Sequence, residues 1–213
     1  MSRPVPAFQR AMLVALAIAS LLSGWAAIYP QNTWLQVGPV LLGLPLGAWA
    51  LRRWPLSNLA AGLLTAFILL HLLAACWSYS LTPYDRWSRA LLGVSVDATF
   101  GFKRNMFDRM VHLCFGLWLV LPFAEIAVHH GGLSRKAALT MAVLGIFAFS
   151  SAYEIFEWLL TLGLAPDQAG AYNGEQGDMY DSQKDMAVAN LGALLAIWPS
   201  RARLAPPPRE GAI

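Results

Sequence analysis

Charged side chains are scarce in this chain. Asp, Glu, Lys and Arg make up 13% of its 213 residues, roughly half the share found in soluble globular domains. None of the four types occurs between Arg10 and Arg52, or between Arg53 and Asp85. Together with a hydrophobic content of 57% and a mean hydropathy of +0.51, this scarcity excludes a soluble globular domain. It predicts a protein that crosses a membrane several times.

Cysteine is also rare, and the chain carries little net charge. The two cysteines, Cys76 and Cys114, both lie within apolar stretches, which is typical of small buried hydrophobic residues rather than of a disulfide or a metal-binding pair. The formal charge is +3. The basic residues lie in short loops between apolar segments, so they indicate membrane topology and not a nucleic-acid partner.

The apolar segments predict an all-α, polytopic transmembrane bundle of six helices. Each segment is about as long as a bilayer-spanning helix requires. The predicted spans are about Ala11–Tyr29, Trp34–Leu51, Asn58–Ser78, Phe107–Val128, Ala137–Leu162 and Asp178–Pro199. We expect the first to remain uncleaved. Residues 1–200 are therefore predicted to form a single membrane domain, and the proline-containing residues 201–213 a disordered cytoplasmic tail.

Two segments differ from a plain apolar helix. In the second span, Pro39 and Pro45 predict a kinked or broken helix, and Gly43-xxx-Gly47 predicts a packing surface for a neighbouring helix. Between the third and fourth spans, residues 79–105 mix aromatic, aliphatic and basic side chains. This composition favours a segment that lies in the membrane interface or is partly re-entrant, with a solvated loop as the alternative.

Lysine and arginine counts predict the orientation. With the N-terminus in the cytoplasm, the inner segments hold nine of these residues and the outer segments six. The positive-inside rule therefore favours both termini in the cytoplasm, and we expect a bacterial inner-membrane location.

Acidic residues recur at one predicted end of this bundle. Asp178, Asp181 and Asp185 are spaced three and four residues apart, so they share one face if the helix begins at Asp178. In the predicted topology, the start of span four, the end of span five and the start of span six all reach the outer leaflet. The candidate site residues that this brings together are Asp108, Arg109, His112, Glu154, Glu157, Asp178, Asp181 and Asp185.

The acids in this set outnumber the neighbouring bases, and buried carboxylates need a cation, protons or basic partners. A first interpretation is a divalent-metal site for Mg²⁺, Mn²⁺, Zn²⁺ or iron. Its candidate ligands are His112, Glu154, Glu157, Asp178, Asp181 and Asp185. Its candidate catalytic residues are Asp108, Arg109, His112, Glu154 and Glu157, with Arg109 as a clamp for phosphate or carboxylate.

Two other interpretations remain open. Carboxylate and histidine chains inside membranes carry protons or cations, so the cluster is also compatible with a transport path. Such a path needs polar groups that continue toward Glu125, near the opposite end of span four. In the third interpretation, Arg109 and Lys184 neutralise some of the acids and the cluster only fixes helix packing.

Three motifs resemble the YjdF-like family of bacterial inner-membrane proteins, which carry a domain of unknown function. The motifs are Arg104-Asn105-Met106-Phe107-Asp108-Arg109-x-x-His112, Tyr153-Glu154-x-x-Glu157-Trp158 and Gly177-Asp178-x-x-Asp181-x-Gln183-x-Asp185-Met186. The resemblance extends over roughly Trp34 to Trp198 and implies a six-span membrane protein. Met106, Glu175 and Lys184 depart from the family pattern, which has a histidine, a threonine and an aromatic residue there. The resemblance implies no activity.

These observations favour a divalent-metal-dependent membrane enzyme that acts on a lipid-linked or envelope substrate. The alternatives are a cation- or proton-coupled transporter and a non-catalytic membrane assembly protein.

Overall fold

The structure, a computed structural model, describes residues 4–163 and 174–204. Within these ranges the chain is helical and contains no β-strand, so the predicted all-α class is confirmed. The helices are α1 (Ala7–Trp25), α2 (Pro30–Arg53), α3 (Asn58–Cys76), α4 (Tyr84–Leu92), α5 (Val96–Phe100), α6 (Phe107–His129), α7 (Arg135–Gly163) and α8 (Asp181–Arg203).

Five helices, α1, α2, α3, α6 and α7, are long and apolar enough to cross a membrane. The protein is thus a multi-pass membrane protein. Helix α8 has 23 residues, a length of about 35 Å at 1.5 Å per residue. It carries charges in both its first and last turns, and its uncharged stretch runs only from Met186 to Ser200. The sixth span therefore stays a prediction.

The long helices form two halves that meet at α3 and α6. Helices α1 and α2 pack on α3, whereas α7 and α8 pack on α6. A buried apolar cluster lies within each half: Val37 and Leu72 belong to the first, and Val120 and Ile146 belong to the second. The starts of α6 and α8 lie at the same end of the bundle as the end of α7, and we call this the cluster end.

Helices α6 and α8 cross with their backbones in contact. A Cβ atom added at Gly116 would overlap the carbonyl oxygen of Ala189 and lie 2.6 Å from the nitrogen of Ala193. A Cβ added at Gly192 would lie 2.9 Å from the nitrogen of Leu117 and 3.3 Å from the Cα of Gly116. Only glycine fits this crossing, which lies one helical turn beyond His112 and sets the distance between the starts of the two helices.

Helix α2 continues from Pro30 to Arg53 through Pro39 and Pro45. The helix is therefore not broken at the prolines, and the kink that was the other form of the prediction stays a prediction. Membrane helices tolerate interior proline because neighbouring groups satisfy the freed carbonyl. Gly43 and Gly47 have no atom of the described chain within 4 Å of an added Cβ. Within the described residues no neighbouring helix packs at Gly43 and Gly47, so the packing surface predicted there is wrong.

The segment between α3 and α6 contains the two short helices α4 and α5. Asp85 joins them by accepting hydrogen bonds from Arg89 Nε at 2.7 Å, Ser95 Oγ at 2.9 Å and Asp97 N at 3.0 Å. Leu91 of α4 is 82% exposed. Its exposed side chain agrees with a segment in the membrane interface, and that location stays a prediction.

The predicted tail over 201–213 overlaps α8, which includes Arg201 and ends at Arg203. Beyond Leu204 the tail lies outside the described residues.

We predict that Gly192→Ala lowers the thermal stability of the protein in detergent, because the new methyl group meets backbone atoms of α6 that cannot move aside. Overpacking of this kind costs about 1–3 kcal/mol, more than the roughly 0.5–1 kcal/mol that alanine gains over glycine within a helix. Gly43→Ala is the matched control and should melt at or above the wild-type temperature. Equal melting temperatures for Gly192→Ala and the wild type would contradict the crossing.

Candidate functional site

Six of the predicted site residues lie together at the cluster end. Asp108, Arg109 and His112 belong to the first two turns of α6, Asp181 and Asp185 to the start of α8, and Glu154 to the last third of α7. Each is at most 9% exposed. Spacings of four residues place Asp108 with His112 and Asp181 with Asp185 on single helix faces. The crossing at Gly192 holds these two faces against each other.

Two loop segments close over this site. Arg104, just before α6, donates to the carbonyl oxygen of Glu175 at 3.0 Å and to that of Gly174 at 3.3 Å. Gln176 accepts from the backbone nitrogen of Asn105 at 3.0 Å, and its Nε2 donates to the Asn105 carbonyl at 3.1 Å. The residues before α8 are thereby fastened to the residues before α6.

The outer layer of the cluster is a network of ion pairs. Asp181 accepts from Arg104 Nη1 at 2.6 Å and also from Arg109 Nη2. Asp178 pairs with Arg109 Nη2 at 3.2 Å and with Lys184 Nζ at 2.6 Å. Arg109 and Asp181 are both buried, and each has a second charged partner, so the charges of this layer balance one another within the network.

Asp178 does not lie on α8, so the predicted helical face of three aspartates is wrong. The helix begins at Asp181, and Asp178 precedes it in a turn where its Oδ1 accepts from the backbone nitrogen of Tyr180 at 3.2 Å. Hydrogen bonds from the Lys184 ammonium hold the pKa of the Asp178 carboxyl below its ordinary value. Asp178 is therefore a charged residue at the rim of the cluster.

In the inner layer, the contacts between acids and basic side chains are all 3.4 Å or longer. His112 Nε2 lies 3.6 Å from Asp108 Oδ1 and 3.7 Å from Glu154 Oε1. Asp185 Oδ1 lies 3.4 Å from Arg109 Nη1. Neither Asp185 Oδ1 nor Glu154 Oε1 has a hydrogen-bond partner in the described part of the chain. Buried carboxylate oxygens in this state favour a bound cation or a proton.

Three residues of this layer could hold a metal ion. Ligand atoms of Asp108, His112 and Asp185 all lie within 4.8 Å of one another. Two ligands on opposite sides of one ion are at most roughly 4.4 Å apart at bond lengths of about 2.2 Å, so the side chains need to close in only slightly. Two carboxylates and one imidazole suit Mn²⁺, Zn²⁺ or Fe²⁺, and with additional water also Mg²⁺.

This group differs from the predicted ligand set. It contains His112 and Asp185, but its third member is Asp108, which the sequence indicated only as a catalytic residue. Glu154 lies beside the group, and Asp178 and Asp181 belong to the ion-pair network. Glu157 is partly exposed and lies next to Tyr153. Arg109, the predicted clamp, is engaged by aspartates.

Sequence reasoning missed Arg104 as a member of the cluster. It stands at the start of the first of the three motifs, which is the one signal that could have indicated it. Its position in a loop of unknown path gave no reason to place it beside Asp181.

A cavity of about 450 Å³ adjoins the inner layer. It lies between the two halves of the bundle, and its walls come mainly from apolar residues of α2, α3, α6 and α7. Phe149 and Phe156, which line it, are 60% and 46% exposed, so the cavity opens toward the lipid. His112 lines the cavity as well, with Tyr153 packed edge-on against its ring at a centroid distance of 6.2 Å.

The other buried titratable groups have structural partners. His71 also lines the cavity, but its Nε2 lies 3.3 Å from the Gln36 carbonyl oxygen and its Nδ1 bonds the Tyr79 hydroxyl. At the end of the bundle opposite the cluster, Glu125 accepts from the backbone nitrogen of Ser57 at 2.9 Å and from its hydroxyl at 2.6 Å. Glu125 thus caps the start of α3.

Comparison with known proteins places this architecture in a family. A family model described as "Predicted membrane protein (DUF2238)" matches residues 8–205. The inner membrane protein YjdF of Escherichia coli (strain K12) is 29% identical over 186 residues, which cover 86% of this chain and 84% of that protein. The family resemblance inferred from the three motifs is confirmed. No solved structure matches the chain.

We predict that Lys184→Met makes the protein less stable at neutral pH, and that the difference from the wild type disappears in acid. The Asp178 carboxyl has a pKa below its ordinary value of 3.8 in the folded protein, chiefly because of Lys184. Its charge therefore stabilises the fold above pH 3.8, and this stabilisation is lost as the pH falls through the folded pKa. Melting temperatures from pH 7 to pH 3 test the prediction, with Lys136→Met as the control. A difference that persists unchanged at pH 3 would contradict it.

Proposed function

We propose that this chain, which belongs to the DUF2238 family of predicted membrane proteins, is a divalent-metal-dependent membrane enzyme that acts on the phosphate group of a membrane lipid. It would work in the bacterial inner membrane with both termini in the cytoplasm, so that the cluster end faces the outer leaflet. The lysine and arginine distribution supports this orientation, and the relative from Escherichia coli is named an inner membrane protein.

The position of His112 carries the proposal. One edge of the imidazole belongs to the buried group with Asp108 and Asp185, and the same residue lines the apolar cavity that opens toward lipid. A molecule with its hydrocarbon part in the cavity would have its polar end beside the acids. Lipids that carry a phosphate have this amphipathic shape.

Each inner residue has a task in this proposal. Asp108, His112 and Asp185 would hold a divalent ion, and such an ion would supply the positive charge that makes a phosphate group more susceptible to attack. Glu154, whose Oε1 faces His112 without a hydrogen-bond partner among the described residues, is placed to accept a proton from an attacking water or alcohol. Arg109 would keep Asp185 and Asp181 in position from the outer side.

The two alternatives explain less of the geometry. A structural role accounts for the outer layer of arginines and aspartates but leaves Glu154 Oε1 and Asp185 Oδ1 without a hydrogen-bond partner among the described residues. A transport path would need polar groups continuing toward Glu125. On α6, residues 113–124 between His112 and Glu125 are uncharged and mostly apolar, and Leu119, Val120 and Ala124 belong to the hydrophobic core. Glu125 itself is occupied with Ser57.

We predict that the purified protein binds Mn²⁺ at a single class of site at neutral pH. Asp185→Asn should weaken this binding at least about tenfold, since even outer-shell changes cost 10–100-fold in metal affinity. Asp108→Asn should act in the same direction. Mn²⁺ titration followed by electron paramagnetic resonance, with elemental analysis of the purified samples, measures the effect.

Asp178→Asn is the matched control, because it removes a carboxylate of the same cluster that Lys184 and Arg109 already neutralise. This variant should bind Mn²⁺ as the wild type does. The catalytic part is tested by incubating the wild type and Asp185→Asn with phospholipid vesicles and Mn²⁺, and following soluble products by mass spectrometry. A wild-type protein that binds no Mn²⁺, or an Asp185→Asn variant with wild-type affinity, would overturn the proposal.

A further inference from the structure

Ser150 is a buried residue of the cavity wall, and its hydroxyl group has no partner among the described residues. It is 2% exposed, it lines the cavity, and its Oγ has no hydrogen-bond partner in the described ranges. Serine and threonine inside a helix ordinarily bond to the carbonyl four residues earlier. Ser20 does so with Leu16 at 2.8 Å and Thr65 with Ala61 at 2.8 Å. Ser23 bonds the Leu72 carbonyl of a neighbouring helix instead, at 2.7 Å, whereas Ser150 has neither kind of acceptor among the described residues.

The position of Ser150 relates it to the proposed head-group site. It precedes Glu154 by four residues on α7, which places it one helical turn, about 6 Å, deeper in the bundle. The hydroxyl therefore lies between the acids at the cluster end and the hydrocarbon region of the cavity. A ligand whose phosphate lies beside the acids can accept a hydrogen bond from the Ser150 hydroxyl only if it carries an acceptor atom a short distance along the molecule from the phosphate.

The opposite wall of the cavity makes no comparable demand. The ring nitrogens of His71 are both used, one by the Gln36 carbonyl and one by the Tyr79 hydroxyl. Phe67 of α3 and Phe115 of α6 supply apolar surface. From the cluster end inward, a ligand that fits the cavity thus has an anionic group, then a hydrogen-bond acceptor on the side of α7, and then a hydrocarbon part.

From this order we infer that the lipid is a glycerophospholipid, with an ester carbonyl oxygen accepting a hydrogen bond from Ser150. In such a lipid only the glycerol backbone separates the phosphate from the ester carbonyls. A polyprenyl phosphate, the other common phosphate-bearing lipid class, continues directly into hydrocarbon and leaves Ser150 unsatisfied. The inference rests on the proposed function, because the phosphate is placed by the metal group.

The test compares two lipids that share a head group and differ in their ester carbonyls, together with a polyprenyl phosphate that has no ester. Detergent-purified full-length protein is titrated with diester phosphatidylglycerol, with its diether analogue and with a long-chain polyprenyl phosphate, each competing against a fluorescent phospholipid. We expect the wild type to prefer the diester over the diether by roughly two- to tenfold, the range that one hydrogen bond provides. Ser150→Ala should abolish this preference and leave the affinity for the polyprenyl phosphate unchanged.

Ser151→Ala is the control, because Ser151 is the neighbouring serine and does not line the cavity; it should keep the wild-type preference. Removing an unsatisfied hydroxyl should not lower the melting temperature of Ser150→Ala, which a parallel melt verifies. Equal affinities of the wild type for diester and diether, or a preference retained in Ser150→Ala, would overturn the inference, as would tighter binding of the polyprenyl phosphate. Mn²⁺ titration of the same samples separates a failure of the metal site from a failure of the lipid assignment.

Discussion

The contact between α6 and α8 at Gly116 and Gly192 determines where the polar chemistry of this protein lies. Because no side chain separates the two backbones there, the helix faces that carry Asp108 and His112 on one side and Asp185 on the other are brought within ligand distance of each other. Bilayer lipid gives apolar helices no hydrophobic reason to associate, so close backbone packing is the main source of attraction between them. The same packing that stabilises the C-terminal half therefore confines two acidic side chains and a histidine to one small volume.

Burying carboxylates close together costs free energy, and basic side chains offset this cost more at the rim of the cluster than in its inner layer. Arg104, Arg109 and Lys184 surround Asp178 and Asp181 at the rim, where loop residues also supply hydrogen bonds. In the inner layer, the basic groups within 4 Å of the acids among the described residues are Arg109, on Asp185, and the imidazole of His112, on Asp108 and Glu154. The acids at the rim are therefore paired more closely with basic side chains than the acids of the inner layer. The rim fixes the geometry of the helix starts, and the inner layer keeps the capacity to bind a cation.

The helical class and most helix positions could be predicted from charge-free runs, because in a membrane the length of a helix is set by the bilayer. The predicted fourth span and α6 both begin at Phe107. Packing was less predictable. Gly43-xxx-Gly47 has the spacing of a packing motif yet faces open space, whereas Gly116 and Gly192 lie on different helices and have no spacing to reveal them. The site, like the packing, was only partly predictable. Topology placed its acids at one end, but which acids meet arginine depended on Arg104 and on a turn at Asp178 that periodicity does not encode.

Three unsatisfied oxygens connect the site with the cavity. Asp185 Oδ1 and Glu154 Oε1 lie in the inner layer, and Ser150 Oγ lies one turn further along α7. Elsewhere in the interior, Glu125 and His71 find partners on neighbouring helices, whereas some buried oxygens, such as Gln9 Oε1 and Gln36 Oε1, have none among the described residues. Of these three residues, Ser150 lines the cavity between the halves, whereas Glu154 and Asp185 lie beside His112, which lines it. An amphipathic molecule held through a cation at its head and a hydrogen bond below it would satisfy all three at once, which is the physical reason to regard the cluster and the cavity as one site.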